Sequence, residues 1–164
     1  MGKNKLITSI IIGLAIFSLS SKQVIATEDM RALKMHTYLT KLDSPMVGYE
    51  EKLIETAEKY GLDWTLLAAI AGTESTFGKH MPYQCVNPYG WGIYGENKLC
   101  FKDWTDAIEK VGEGLGTKYK TNSLEAIARK YNTVTTDSWT AHTKFFMNKI
   151  KNQEVSVKHL PIEL

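Results

Sequence analysis

Residues 68–78 of the chain read AAIAGTESTFG, an apolar helical run that ends on a carboxylate. Glu74 follows Ile70 and precedes Phe77, so the sequence predicts that its side chain is partly shielded from water. Desolvation disfavours the charged form of a carboxyl group and raises its pKa, and a carboxyl that keeps its proton near neutral pH can act as a general acid. The same residue also fits the surface of an amphipathic helix, so this segment leaves both interpretations open.

A second informative segment, residues 87–95, reads NPYGWGIYG. Three glycines, one proline and three aromatic residues within nine positions exclude a regular helix and predict a shaped loop. Aromatic rings exposed on such a loop suit the flat C–H faces of sugar rings, and Asn87 could hold an amide or a hydroxyl group. Large aromatic side chains also commonly form core, so we expect a mixture, with at least one ring facing a groove.

The two cysteines, Cys85 and Cys100, flank this aromatic segment. In an exported protein an even cysteine count predicts a disulfide, and chain-entropy arguments give a loop of this length about 3 kcal/mol of stabilisation. A metal site that adds His80 is the competing interpretation. Two Cys and one His at these spacings match no zinc pattern, so neither a metal nor a cofactor is expected.

The first 26 residues predict an export signal. Two lysines precede an uncharged stretch at 6–19, and Val24 and Ala26 suit positions −3 and −1 of a cleavage site. The uncharged stretch is short for a membrane span, which needs about 20 residues. We expect a cleaved signal at 1–26 or, alternatively, an uncleaved anchor through 6–19. Either case predicts a secreted or cell-envelope protein.

The charge balance limits the possible partners. Three of the 20 Lys and Arg residues lie in 1–26, which leaves 17 against 18 Asp and Glu in the rest of the chain. No basic patch remains that would suggest nucleic acid as a partner. The length of 164 residues supports one domain of ordinary size, and we expect a monomer.

Hydrophobic periodicity predicts helices along most of the chain. The predicted helices are 46–60, entered at Ser44-Pro45 and stopped by Gly61; one capped by Asp63 that carries Glu74; 104–119, capped by Asp103; 124–131; and one capped by Asp137. Strand-like alternation is absent except for a small hairpin inside 85–101. The predicted fold class is therefore mostly α, with a helical domain at 45–152, a linker or short helix at 27–44 and a loose tail at 153–164.

Gly112, Gly114 and Gly116 superficially suggest a glycine-rich nucleotide-binding loop. The full G-x-G-x-x-G spacing and a preceding strand are both missing, so this interpretation is rejected. The glycines are expected instead to allow close helix packing or to loosen the end of the 104–119 helix.

Three elements of the chain resemble the lysozyme-like superfamily, and more narrowly the single-Glu enzymes that cut bacterial peptidoglycan. Residues 60–75, YGLDWTLLAAIAGTES, resemble the helix that delivers the catalytic Glu in soluble lytic transglycosylases. FGK at 77–79 followed by NPYG at 87–90 is similar to glucosaminidase domains. IARKYN at 127–132 resembles the transglycosylase "YN" motif, whose Tyr lies close to the catalytic acid. The match covers roughly 45–150, although the "GLMQ" segment of many lytic transglycosylases is replaced by YGWGIYG.

This resemblance implies a lysozyme-like domain with the aromatic loop beside its cleft, and cleavage of a β-1,4 bond in peptidoglycan glycan strands. Glu74 would be the general acid and then the base, and Tyr131 would orient the acetamido group of the sugar, which can serve as an internal nucleophile. Tyr131 also fits a core position. The candidate substrate contacts are Ser75, Asn87, Tyr89, Trp91 and Asn132. If a second carboxylate takes part, Glu96 and Asp103 are nearest in sequence, but a loop charge and a helix cap explain them as well.

Several alternatives stay open at the level of sequence. Ser75 could hydrogen-bond Glu74 or terminate the helix. The product could arise by hydrolysis or, if the C6 hydroxyl of the sugar attacks, as a 1,6-anhydro sugar, and either of the two alternating linkages could be cut. The main rival function is a non-catalytic wall-binding or assembly module that keeps the groove, although Glu74, the aromatic loop and Tyr131 together favour catalysis.

Overall fold

The computed structural model describes residues 30–92, 99–119 and 123–155, and these contain six α-helices and no β-strand. The helices are α1 (30–41), α2 (Glu50–Lys59), α3 (Leu66–Ser75), α4 (Trp104–Glu113), α5 (Leu124–Tyr131) and α6 (Thr136–Lys151), with a π-helical segment, Gly114–Tyr119, continuing α4. The predicted mostly helical fold class is confirmed. The predicted signal at 1–26 lies outside the described residues, as does most of the tail at 153–164.

Helix α3 forms the centre of the domain. Eight of its residues are buried, and only Thr73 and Glu74 are not. A helix that is apolar on all sides can be stable only when other elements surround it. Helix α6 makes the most extensive packing against α3, and α2 and α4 also contact it. Glu74 therefore stands at one of the few places where the central helix reaches the surface.

Helix α1 closes one side of the core through Met35 and Leu39, which are both fully buried. For 27–44, where the sequence left a linker or a short helix open, residues 30–41 form a helix and 42–44 do not. The sequence pattern predicts that the helical domain starts at residue 45. Helix α1 lies before that residue and is part of the same core. Among the described helices, none combines the length and the apolar character that a membrane span requires, and the candidate anchor at 6–19 falls outside the described ranges.

Helix α2 starts later than the sequence pattern predicts. The chain turns at 45–48, and Gly48 has a φ of 94°, a left-handed conformation that no helix contains. At the other end the prediction that Gly61 stops the helix is confirmed. Gly61 has a φ of 66°, and its N–H donates to the Glu58 carbonyl at 3.0 Å. This turn sends the chain from α2 directly into α3.

The glycines after α4 allow close packing, as one of the two interpretations of this segment predicts. A Cβ atom on Gly116 would lie 2.6 Å from Cβ and 2.8 Å from the carbonyl oxygen of Tyr60, at the end of α2. A Cβ atom on Gly114 would lie 2.5 Å from the Trp91 ring. The segment can therefore lie against both α2 and the aromatic loop only because it has no side chains at these positions.

Replacing Gly116 by Ala should destabilise the protein by about 1–3 kcal/mol, because the new methyl group meets the backbone of Tyr60 and overpacks the contact. Urea unfolding followed by circular dichroism measures the change. Glu113→Ala, at the exposed last position of α4 directly before this segment, is the matched control and should stay within about 0.5 kcal/mol of the parent. An unchanged midpoint for Gly116→Ala would show that the π-helical segment moves away from α2 at no cost.

Candidate active site

Glu74 lies in the last turn of α3, directly before an unusual backbone turn. Thr76 and Phe77 are both left-handed, with φ of 53° and 56°, although neither is glycine. Such residues cost about 1–3 kcal/mol each and persist only where the surroundings hold them. Phe77 is held because its buried ring lies against Gly72, where a Cβ atom would be 2.5 Å from the ring. The strain is stored next to the candidate acid.

Two contacts surround the Glu74 carboxyl group. The indole Nε1–H of Trp139 donates to Oε1 at 2.5 Å. Oε2 faces Gly90 so closely that a Cβ atom on Gly90 would lie 3.1 Å from it. Gly90 also has a φ of 61°, so both its conformation and the short approach favour glycine here. The aromatic loop therefore reaches the carboxyl group with its backbone.

The electrostatics of Glu74 follow from these contacts. Burial raises the pKa of the carboxyl group above its ordinary value, and the Trp139 hydrogen bond, which favours the charged form, offsets part of that rise. The residue as a whole keeps an exposed surface beside its partly buried carboxyl group. A carboxyl that holds its proton more tightly than usual, and that is still accessible, can serve as a proton donor.

Four aromatic rings, which we call the aromatic ladder, lead away from Glu74: Trp139, Tyr131, Trp91 and Tyr119. Successive ring centroids are 5.1, 5.5 and 5.8 Å apart, and the first and last pairs are stacked. The ladder joins α6, α5, the aromatic loop and the π-helical segment. The four rings form a continuous row that begins at the carboxyl group with Trp139.

The Tyr131 hydroxyl belongs to this row of rings. It donates to the Tyr89 carbonyl at 2.5 Å, and its pKa is raised well above the ordinary value, first by burial and then by the nearby Glu74 charge. The group therefore stays protonated at every physiological pH. Its oxygen keeps a lone pair that can accept a hydrogen bond from a ligand.

A cavity of about 400 Å³, which we call the aromatic groove, opens along the ladder. Its described lining consists of Gly90, Trp91, Gly92, Lys118, Tyr119, Lys130 and Tyr131. A second cavity of about 330 Å³ lies on the other side of Trp91. A third, of about 470 Å³, lies between α1 and the end of α6 and is lined by none of the predicted site residues. Tyr131 and Trp91 line the aromatic groove together with Gly90, which lies against the Glu74 carboxyl group, but Glu74 itself is not among the described lining residues.

Asn87 and Tyr89 occupy a different place. Asn87 is only 1% exposed, and its amide is engaged within the loop. Its Nδ2 donates to the carbonyls of Trp91 and Leu99, both at 2.8 Å, and its Oδ1 accepts the Trp91 N–H at 3.1 Å. The Tyr89 side chain is fully buried in the core. These two residues shape the aromatic loop and do not line the aromatic groove.

The side chains of Ser75 and Asn132 also hydrogen-bond to backbone groups. The buried Ser75 hydroxyl lies 2.7 Å from the Pro88 carbonyl and accepts the Gly78 N–H at 2.9 Å, so it ties the end of α3 to the aromatic loop. The Asn132 Oδ1 accepts the Thr135 N–H at 2.8 Å and organises the turn between α5 and α6. Neither residue lines the aromatic groove.

The predicted disulfide between Cys85 and Cys100 is confirmed. It closes the aromatic loop beside an antiparallel bridge between Val86 and Phe101, which is all of the predicted hairpin that the described residues contain. Since both sulfurs are bonded to each other, neither is available as a thiolate for the metal site considered with His80. The described ranges 30–92, 99–119 and 123–155 contain no cluster of three or more His, Cys, Asp or Glu able to hold a metal ion.

The sequence offers two carboxylates, Asp103 and Glu96, as possible partners of Glu74, and only Asp103 lies among the described residues. Asp103 caps α4, where its Oδ1 accepts the Asp106 N–H at 2.8 Å, so the helix-cap interpretation is confirmed. Glu96 lies outside the described residues.

Sequence patterns did not single out Trp139, Gly90 or Tyr119 as site residues. Trp139 follows Asp137 on an apolar helix face, which predicts only a core position. Its indole N–H meets a residue 65 positions earlier, so the contact depends on how α6 packs on α3. A buried tryptophan needs a partner for its N–H, and that need is the signal that could have marked it.

The chain was also compared with protein-family models, with curated proteins and with solved structures. None of the three comparisons found a match.

Proposed function

We propose that the protein cleaves β-1,4 glycosidic bonds in peptidoglycan glycan strands, outside the cytoplasm, with Glu74 as its single general acid and base. One observation carries this proposal. A partly buried carboxyl group with a raised pKa is held by Trp139 and lies against Gly90, one of the residues that line a groove walled by aromatic rings. The Cys85–Cys100 disulfide supports an oxidising, extracytoplasmic location.

The first step breaks the bond between C1 and the bridging oxygen. Protonated Glu74 gives its proton to the bridging oxygen, which leaves with the electron pair of the bond. The acetamido oxygen of the same sugar forms a new bond to C1, so no second carboxylate is needed. Tyr131 orients the acetamido group by accepting its N–H on the free lone pair of the hydroxyl oxygen. The sugar rings stack on exposed faces of the aromatic ladder.

The second step restores the acid. Glu74, now a carboxylate, takes a proton from an attacking hydroxyl group, whose oxygen bonds to C1 and displaces the acetamido oxygen. If the attacking group is water, the result is hydrolysis; if it is the C6 hydroxyl of the sugar, the result is a 1,6-anhydro end. The Trp139 N–H steadies the carboxylate during this step, because a hydrogen bond to the charged form stabilises it.

Digestion of purified cell walls tests the proposal, with the soluble products identified by mass spectrometry. Anhydro-muropeptides would identify a lytic transglycosylase, and reducing ends on glucosamine or on muramic acid would identify which linkage is hydrolysed. Co-sedimentation with the walls is measured in parallel. Binding without any soluble product would favour a glycan-binding or assembly module over an enzyme. The absence of both binding and product would reject the proposal.

Replacing Trp139 by Phe should raise the Glu74 pKa further, because the substitution removes the hydrogen bond that lowers it. The general acid must be protonated, so the alkaline limb of the pH–activity profile should move to higher pH. We expect kcat to fall by about tenfold or more, since a bond to a charged group contributes about 1.5–3 kcal/mol. Trp64→Phe, a partly buried position away from Glu74, is the control. An unchanged alkaline limb would show that the indole N–H does not act on Glu74.

A further inference from the structure

We infer that the aromatic groove selects glycan strands that carry carboxylate groups, through Lys118 and Lys130. The inference rests on the proposed function and names the class of strand that the groove prefers. Both lysines belong to the described lining of the groove, together with Trp91 and Tyr131. Stacking on the rings recognises any sugar, so the two ammonium groups are the part of the lining that can distinguish one strand from another.

Lys118 is free to bind a ligand. It lies on the exposed side of the π-helical segment, and among the described residues it makes no hydrogen bond or ion pair. A lysine without a carboxylate partner on a concave surface leaves its three N–H donors for solvent or for a bound anion.

Lys130 is held in position while most of its donors remain available. Its Nζ donates to the Tyr119 carbonyl at 3.0 Å and lies 5.3 Å from the centre of the Tyr119 ring. Both contacts fix the ammonium group at the end of the aromatic ladder, and neither neutralises its charge. A fixed cation loses less conformational entropy on binding an anion than a mobile one does.

The described lining of the groove carries positive charge only. No Asp or Glu is among the described residues that line it. Glu113 lines the neighbouring cavity, which Lys118 also lines, but these two described side chains form no ion pair. Glu74 lies beyond Gly90 and is not among the described residues that line the groove. A neutral ligand would gain no charge–charge attraction from the two lysines, whereas an anionic ligand would.

The chemistry of the glycan then selects the ligand class. In peptidoglycan, alternate sugars carry a lactyl ether whose carboxyl group is joined by an amide bond to a peptide stem, and the stem supplies free carboxylates. A β-1,4 polymer of N-acetylglucosamine has the same backbone without them. With rings stacked on Trp91 and Tyr131, the acidic substituents would reach toward Lys118 and Lys130.

The test measures binding to two ligands in the Glu74→Gln background, where cleavage cannot interfere. One ligand is the neutral tetramer of N-acetylglucosamine, and the other is a muropeptide with a free tetrapeptide stem. The double variant Lys118→Gln/Lys130→Gln removes both charges and keeps side chains able to donate hydrogen bonds. We expect it to weaken muropeptide binding by about 5- to 25-fold, as two exposed charge contacts would, and to leave tetramer binding unchanged.

Lys149→Gln is the matched control, because it removes one positive charge at the separate cavity between α1 and α6. Raising the salt concentration should weaken muropeptide binding in the parent and have little effect in the double variant. If the double variant weakens both ligands equally, or neither, the inference is overturned while the proposed function stands. If the parent binds neither ligand and digests no cell wall, the proposed function fails and the inference falls with it.

Discussion

Replacing Glu74 by Gln should lower the rate of cell-wall digestion by about 10²- to 10⁴-fold, the usual contribution of a general acid and base. Gln has the same size and can still accept the Trp139 N–H, but it has no proton to give at neutral pH. The fold should be unaffected. Burial raises the Glu74 pKa above its value in the unfolded chain, so ionisation costs stability as the pH rises through the native value. Removing the carboxyl group removes that cost.

The loss of turbidity of purified walls measures the rate, and the far-UV circular dichroism spectrum and melting temperature report the fold. Glu51→Gln, an exposed position in the first turn of α2, is the matched control and should digest walls as the parent does. Full activity of Glu74→Gln would remove this carboxyl group from the mechanism, whatever the other residues do.

Removing the disulfide by the double substitution Cys85→Ala/Cys100→Ala should lower the free energy of unfolding by about 3 kcal/mol. The bond closes the loop that brings Gly90 to the Glu74 carboxyl group and Trp91 to Gly114. Without it, only noncovalent contacts hold the loop of the aromatic groove, among them the Asn87 hydrogen bonds and the contact between Ser75 and the Pro88 carbonyl. Activity should therefore fall together with the melting temperature.

Chemical reduction provides the internal control for this prediction. Treating the parent protein with a phosphine reductant should reproduce the loss of stability and activity, while the double variant should not respond to the reductant. A melting temperature that is the same in all four samples would show that the bond contributes nothing to stability. Equal activity in all four would show that the loop keeps its shape without the bond.

The helices and the partial burial of Glu74 could be predicted from the sequence because their signals are local. The apolar run before Glu74 predicts a buried helix, and Gly61 and Asp103 mark helix boundaries by their own backbone preferences. Each of these signals needs only neighbouring residues, and the structure agrees with them. Helix α1 was harder to predict, because Met35 and Leu39 become core only when the other helices surround them.

The orientation of the site residues was beyond sequence reasoning. By residue type, Asn87 could contact a sugar or stabilise the loop. In the structure it stabilises the loop, because its amide pairs with backbone groups of Trp91 and Leu99 that would otherwise lack a partner. Tyr89 and Trp91 stand two positions apart in the same loop, yet one is fully buried and the other lines the groove. Trp139 finds Glu74 only through the packing of α6 on α3. Residue types indicate which contacts are possible, and packing chooses among them.

The left-handed pair Thr76 and Phe77 has a consequence for how this protein can change. Replacing Thr76 by glycine would remove the cost of its left-handed conformation and raise the stability of the fold. It would also loosen the end of the helix on which Glu74 sits. Thermal stability and catalytic rate therefore place opposite demands on residue 76. Selection for higher thermal stability would be expected to act on other positions before this turn.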